Sequence, residues 1–217
     1  WLGILLTIPP IPGGEPVPLR KQLSVFTDKR IVSGLLITLL INAGSQTVYT
    51  FLTPLLQTTN PMNTWMISIT MFILGIFSMV GSRLGGYGTD RFGAAKTVCF
   101  SLVIHAMTLL LLPALMASAA TAVFALSAWM AFNWMASPAM QTYFIQQAPQ
   151  NPDLALSLNT SFTQLGIASG AALGGWVVNA TGNVVQTAWA GGLIVLMAVG
   201  VSWFAFSVRS KPSASKA

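Results

Sequence analysis

The chain has 217 residues, of which 54% are hydrophobic and only 6% are charged, and its mean hydropathy is +0.71. A soluble domain carries about 25% charged residues, so this composition excludes a water-covered globular protein and indicates a membrane protein. The net charge is +6, but the basic residues lie in short segments beside apolar stretches. Membrane topology and anionic lipid account for that placement, and we expect no nucleic-acid partner. The single cysteine, Cys99, excludes an internal disulfide.

The first 30 residues precede the first full-length apolar stretch. Residues 1–8 are apolar but too short to cross a bilayer, which needs about 20 residues, and we interpret them as the tail of a preceding transmembrane helix. Residues 9–30 are predicted to form a cytoplasmic segment. Its first part is a Pro-rich linker, which can be neither helix nor strand. Its second part is basic and amphipathic, as expected for a segment that contacts lipid headgroups.

Six apolar stretches follow, each of about the length that spans a bilayer. The predicted fold is therefore an all-α membrane protein with a bundle of six transmembrane helices. The predicted spans are 31–56, 64–84, 97–116, 121–144, 154–178 and 187–208. Residues 209–217 form a predicted cytoplasmic tail.

The charged side chains fall on one side of this predicted membrane. The sequence has 10 Lys and Arg and 4 Asp and Glu. Each of them precedes the first span or lies at or after the end of the second, fourth or sixth. Because basic loops face the cytoplasm, both ends of the chain are predicted to be cytoplasmic.

A glycine-rich charged turn, 85–96, is predicted between the second and third spans. It resembles the signature loop of the major facilitator superfamily, approximately G-x-L-x-D-R-x-G-R-R. The four residues that match in spacing are Gly86, Asp90, Arg91 and Gly93. Gly88 replaces the usual Leu, and residues 94–95 replace the basic pair. The second-half copy of this loop is usually the more degenerate one, so the resemblance implies helices seven to twelve of a 12-helix fold made of 3+3 inverted repeats.

The charged turn has two interpretations. The carboxylate of Asp90 can accept from the N-terminal N–H groups of a neighbouring helix, a contact that forms in one conformation and breaks in another. Such a contact would make the turn a conformational latch. Alternatively, Asp90 and Arg91 only solubilise a short loop.

The fifth span has a doubled small-xxx-small pattern that lets another helix approach its backbone closely. The glycines concerned are Gly166, Gly170, Gly174 and Gly175, and we predict a role for them in helix packing and gating. The segment 156–175 is similar to the eleventh helix of the 12-span drug:proton antiporter family. Within that family it resembles the arabinose-efflux-permease-like and purine-efflux branches. Another face of this span, with Ser157, Ser161 and Gln164, is a further candidate for the cavity wall.

The polar residues of the first span lie in a narrow arc when plotted at 100° per residue. Uncharged amides and a phenol in a lipid-soluble helix must face protein or water. By resemblance this helix lines a central cavity, and Asn42, Gln46 and Tyr49 are candidate substrate contacts. Helix–helix hydrogen bonding is the alternative.

The fourth span repeats this polar pattern. By resemblance it also lines the cavity, with Asn133, Trp134 and Gln141 as candidate substrate contacts, although Trp134 could be an ordinary packing residue. Pro138 is predicted to bend this span.

His105 is the single histidine and lies in the third span. An intramembrane histidine is a candidate proton relay, but the resemblance makes this helix peripheral. A neutral, hydrogen-bonded structural histidine is the other interpretation.

The resemblance implies a secondary transporter of a bacterial inner membrane that exports drugs, sugars or nucleosides in exchange for protons. The expected partners are the small-molecule substrate, the lipid bilayer and an N-terminal half of the same protein. No cofactor, metal site or catalytic set is expected, so the protein is predicted not to be an enzyme, and the proton gradient is the expected energy source. A non-transporting membrane scaffold or receptor-like subunit is the alternative.

Overall fold

The computed structural model describes residues 28–60 and 62–207, and these residues form seven α-helices. The helices are α1 Lys29–Tyr49, α2 Leu52–Thr59, α3 Thr64–Phe92, α4 Ala94–Leu115, α5 Ala119–Gln147, α6 Pro152–Thr181 and α7 Gln186–Ser207. The predicted helix tail at 1–8, nearly all of the segment 9–30 and the tail 209–217 lie outside the described residues.

Polar side chains begin three of these helices. Asp28 Oδ1 accepts from Arg30 N at 2.8 Å at the start of α1, and Asn63 Oδ1 accepts from Met66 N at 2.9 Å at the start of α3. The Ser118 hydroxyl accepts from Thr121 N at 3.3 Å at the start of α5. Each contact satisfies a backbone N–H that has no partner within its own helix.

The first predicted span, 31–56, is interrupted in the structure. Helix α1 ends at Tyr49 and α2 begins at Leu52, with Phe51 N bonded to Val48 O at 3.0 Å across the break. Pro54 explains the interruption, because it has no backbone N–H and its ring would clash with the carbonyl four residues earlier, at Thr50.

The predicted turn at 85–96 is much shorter than expected. Helix α3 continues through Phe92 and α4 begins at Ala94, so Gly86, Asp90 and Arg91 lie on the last turns of α3. Gly93 alone makes the turn, with φ of +89° and ψ of 153°, a conformation that only glycine adopts readily. The charges mark where the apolar stretch ends, whereas the helix continues beyond it until Gly93 allows the chain to reverse.

Five of the described helices are long and apolar enough to cross a membrane, namely α1, α3, α4, α5 and α7. Helix α6 has 30 residues but is less apolar, because its first half is rich in Ser, Thr, Asn and Gln. The all-α membrane architecture thus agrees with the sequence, while a count of six spans stays a prediction.

The main helix contacts form one continuous series in which α3 packs on α5, α5 on α4, α4 on α7, α7 on α1 and α1 on α6. Three of the predicted packing glycines line the seam between α6 and α1. A Cβ on Gly166 would lie 2.6 Å from Leu39 O, one on Gly174 would lie 2.6 Å from Thr47 O, and one on Gly170 would overlap Ala43 O. The two backbones are therefore in direct contact.

Gly175 differs from these three glycines, because its nearest contact would be Phe51 Cζ at 3.9 Å. A second close seam joins α1 to α7, where a Cβ on Gly44 would lie 2.7 Å from Gly191 O.

Candidate substrate cavity

A cavity of about 520 Å³ lies between α1, α3, α5 and α6. Most of its lining is apolar, but each of the four helices contributes at least one polar side chain. The polar and amphipathic lining residues are Thr38, Asn42, Ser45, Gln46, Tyr49, Ser78, Trp129, Asn133, Trp134, Ser137, Asn159 and Thr163. An apolar pocket with a few converging polar groups is the usual form of a small-molecule site.

Five of the six candidate substrate contacts from the sequence border this cavity. They are Asn42, Gln46, Tyr49, Asn133 and Trp134. The sixth candidate, Gln141, is exposed and is not part of the lining. The residue before it on α5, Met140, still borders the cavity, so Gln141 lies outside the lining although the cavity extends along α5 to its position.

Helix α6 presents a different face to the cavity from the one suggested by its serines. Ser157, Ser161 and Gln164 are exposed and do not line the cavity, whereas Asn159 and Thr163 do. The glycine seam fixes this rotation, because Gly166 and Gly170 must face α1 and the residues one and two turns before Gly166 follow the same side of the helix. Asn159 and Thr163 precede Gly166 by seven and three residues, and this helical spacing is the sequence signal that places them on the same stripe as the glycines.

The amide groups of α1 are partly engaged within their own helix. Asn42 Nδ2 donates to Thr38 O at 2.8 Å, and Gln46 Nε2 donates to the Thr50 hydroxyl at 3.2 Å. These bonds use amino groups and leave both side-chain oxygens as acceptors at the cavity.

Two hydroxyl groups of α1 reach across to asparagines on the neighbouring helices. The Thr38 hydroxyl donates to Asn159 Oδ1 on α6 at 2.8 Å. The Ser45 hydroxyl donates to Asn133 Oδ1 on α5 at 2.7 Å. The polar residues of α1 thus both form hydrogen bonds to neighbouring helices and line the cavity.

His105 is fully buried behind this wall. Its Nε2 accepts from the Trp129 indole N–H at 2.9 Å and lies 3.2 Å from the Ser45 hydroxyl. An indole nitrogen can only donate, so in this arrangement Nε2 is unprotonated and the ring is neutral with its proton on Nδ1. The described acidic residues lie at helix ends, namely Asp28, Asp90 and Asp153.

The residues of the predicted latch lie at the α3–α4 junction. Arg91 Nη1 donates to the Tyr87 hydroxyl at 2.5 Å, and its guanidinium lies 5.7 Å from the ring centre of Phe92. A Cβ on Gly88 would lie 3.1 Å from the Thr97 side chain, so α3 and α4 approach closely here.

Asp90 is exposed, and within the described part of the chain no hydrogen bond or ion pair engages its carboxylate. Its role as a latch stays a prediction.

Comparison with known proteins decides the family. The model of the Major Facilitator Superfamily matches residues 35–217. The chain belongs to the major facilitator superfamily. This family comprises membrane transporters rather than enzymes, and the match identifies a multi-pass membrane protein.

Bacterial proteins of this superfamily are similar to the chain over most of its length. It is 33% identical over 208 residues to the uncharacterized MFS-type transporter YbcL of Bacillus subtilis, covering 96% of the chain and 53% of that protein. It is 27% identical to the inner membrane transport protein YdhP of Escherichia coli, covering 82% of the chain and 46% of that protein. A chloramphenicol resistance protein of Streptomyces lividans is 25% identical, covering 86% of the chain and 47% of that protein. The chain therefore spans about half the length of these superfamily relatives.

A solved structure agrees in fold. The superfamily transporter FucP, in its outward conformation, superposes with a TM-score of 0.70 at 16% sequence identity. The alignment covers 94% of this chain and 50% of FucP, so the helices of this chain are arranged like half of a major facilitator fold.

Proposed function

We propose that this chain forms half of a secondary transporter that exports small molecules in exchange for protons. The observation that carries the proposal is the cavity between α1, α3, α5 and α6, into which polar side chains from all four helices converge within a bundle whose described core is mainly apolar. Polar groups in such a bundle mark a substrate pathway. In transporters built from repeats, substrate sites lie near the midplane between the repeats.

The second half of the pathway is proposed to come from an N-terminal half of the same protein, consistent with the chain's spanning about half the length of its relatives. In this arrangement the two halves rock against each other and expose the cavity to each side in turn. We place the proton-carrying group in that other half, where the resembled antiporter family usually has it. Cytoplasmic ends in a bacterial inner membrane follow from the one-sided charges.

The chloramphenicol resistance relative supports a first choice of substrate. Chloramphenicol is uncharged and has an amide, two hydroxyls and a nitro group, which suits a cavity whose polar lining consists of amides, hydroxyls, a phenol and indoles. We therefore propose amphipathic drugs of this kind as the first substrate class, ahead of sugars and nucleosides.

An efflux assay tests this function. The full-length protein is expressed in cells that lack their own drug efflux pumps, and accumulation of radiolabelled chloramphenicol, a sugar and a nucleoside is measured. We expect lower accumulation of chloramphenicol, and we expect a protonophore to abolish the difference. Unchanged accumulation of all three compounds at normal protein abundance would instead favour a non-transporting scaffold.

A further inference from the structure

We infer that Asn133 and Asn159 present their amino groups to the cavity as hydrogen-bond donors, and that the pair Trp129–His105 fixes this orientation for Asn133. The substrate class, an uncharged molecule bound through its oxygen acceptors, rests on the proposed transport function. The orientation of the two amides rests on the geometry alone.

The bond between Trp129 and His105 determines the tautomer of the imidazole ring. The indole N–H donates to Nε2 at 2.9 Å, and a neutral imidazole nitrogen has one in-plane lone pair with which to accept. The indole therefore occupies the acceptor position of His105. Among the described residues, Nδ1 of the same ring has no hydrogen-bond partner, so the bond to Trp129 determines which nitrogen carries the proton.

Ser45 has a single hydroxyl proton to donate. Two acceptors lie within reach, His105 Nε2 at 3.2 Å and Asn133 Oδ1 at 2.7 Å. Because the indole already occupies Nε2, the Ser45 proton goes to Asn133. An asparagine whose oxygen accepts in this way must point its amino group elsewhere, and Asn133 borders the cavity.

An equivalent bond joins the same face of α1 to Asn159 on α6. The Thr38 hydroxyl donates to Asn159 Oδ1 at 2.8 Å, which leaves the amino group of Asn159 without a partner among the described residues. Thr38 and Ser45 are seven residues apart, or about 10 Å along the helix. The two asparagine amino groups are thus held at two levels of one cavity, one on α6 and one on α5, by hydroxyls on the same face of α1.

Two acceptors of the cavity come from α1, with Asn42 between these two levels and Gln46 next to the level of Ser45. Asn42 and Gln46 use their amino groups within α1 and present their oxygens. The described lining contains no Asp, Glu, Lys or Arg. The matching ligand is uncharged, with oxygen acceptors for Asn133 and Asn159 and hydroxyl or amide donors for Asn42 and Gln46.

The orientation of His105 can be tested without any substrate. The full-length protein is labelled with [15N]histidine, and the signal of His105 is assigned by comparison with a His105→Gln variant. We expect the spectrum of a neutral ring with a protonated Nδ1 and an unprotonated Nε2 at neutral pH. A proton on Nε2 would overturn the inference, because the Trp129 bond could then not exist.

The effect on the cavity is tested by kinetics with chloramphenicol as the probe. Ser45→Ala and Trp129→Phe each release Asn133 to rotate, and Asn133→Leu removes its donors. For each variant we expect about a five- to tenfold rise in KM, the size of one lost hydrogen bond, with kcat within about twofold. Ser101→Ala is the matched control, because Ser101 is equally buried and bonds only to Val98 O of its own helix.

The outcomes separate the two proposals. Export of chloramphenicol with an unchanged KM in Ser45→Ala and Trp129→Phe overturns the positioning role and leaves the transport function standing. If the wild-type protein exports no compound of the panel, the transport function fails, and the histidine spectrum still decides the orientation of the pair.

Discussion

Gly170 of α6 lies directly against the backbone of Ala43 of α1, so closely that a Cβ at this position would overlap the Ala43 carbonyl oxygen. The Thr47 hydroxyl donates to Gly170 O at 3.1 Å at the same crossing. This contact sets the distance and the rotation between α1 and α6, and thereby directs Asn159 towards the cavity.

Replacement of Gly170 by alanine is therefore expected to destabilise the bundle. The added methyl group meets a carbonyl on a rigid helix, and overpacking of this kind costs about 1–3 kcal/mol. The loss is measured as a lower melting temperature of the detergent-solubilised full-length protein. Gly175→Ala is the matched control on the same helix, because its Cβ would meet only Phe51 Cζ at 3.9 Å. Equal melting temperatures for the two variants would show that the seam tolerates expansion.

Gly93→Ala is expected to destabilise the junction of α3 and α4. The backbone of Gly93 has φ of +89° and ψ of 153°, and a residue with a side chain held there costs about 1–3 kcal/mol. Thermal unfolding of the full-length protein measures the change, with Gly86→Ala as the control. Gly86 is helical and has open space at its Cβ position, so a comparable loss in that control would argue against backbone strain at Gly93.

Asp90→Asn tests the proposed latch. The exposed carboxylate has no partner within the described residues in this conformation, so we expect it to engage a helix N-terminus in the other one. Loss of the charge should slow export by about tenfold, equivalent to a coupling of ~1.4 kcal/mol, without reducing the amount of protein in the membrane. Asp153→Asn, at an exposed acidic residue in the first turn of α6, provides the control. Normal export by the Asp90 variant would leave Asp90 as a solubilising residue only.

The α1 amides should contribute to substrate affinity. Asn42→Ala and Gln46→Ala each remove one acceptor from the cavity wall, and we expect about a fivefold weaker affinity for chloramphenicol from each. Equilibrium binding to the purified full-length protein gives the affinity. Gln141→Ala should leave it unchanged, because Gln141 does not border the cavity. Reduced protein abundance with an unaltered affinity would assign Asn42 and Gln46 to helix packing.

The sequence predicted the residues that one-dimensional patterns encode well. Apolar length locates the helices, and the polar arc of α1 agrees with the structure, in which Asn42, Gln46 and Tyr49 line one cavity wall; their contact with substrate stays a prediction. The turn between α3 and α4 was predicted too long, because charge marks the lipid boundary while backbone geometry at Gly93 ends the helix. Pro54 is a sequence signal for the break between α1 and α2, but the apolar stretch continues across it, and a single uninterrupted span was predicted there.

Other features depend on how helices are rotated against each other, and the pattern within one helix indicates that rotation only where close-packing glycines mark the contact face. The cavity face of α6 could be Asn159 and Thr163 or Ser157 and Ser161, and only the close contact of Gly170 with α1 decides between them. The bond from Trp129 to His105 joins α5 to α4, and no spacing within either helix predicts it.

Accessibility of the cavity in the full-length protein tests the central claim most directly. In a Cys99→Ser background, Gln46→Cys is reacted with a membrane-impermeant maleimide in the presence and absence of chloramphenicol. The account predicts that the introduced thiol is labelled and that chloramphenicol protects it, because Gln46 lines the substrate pathway. A thiol that is not labelled, or whose labelling is unaffected by every compound that the protein exports, would contradict the account.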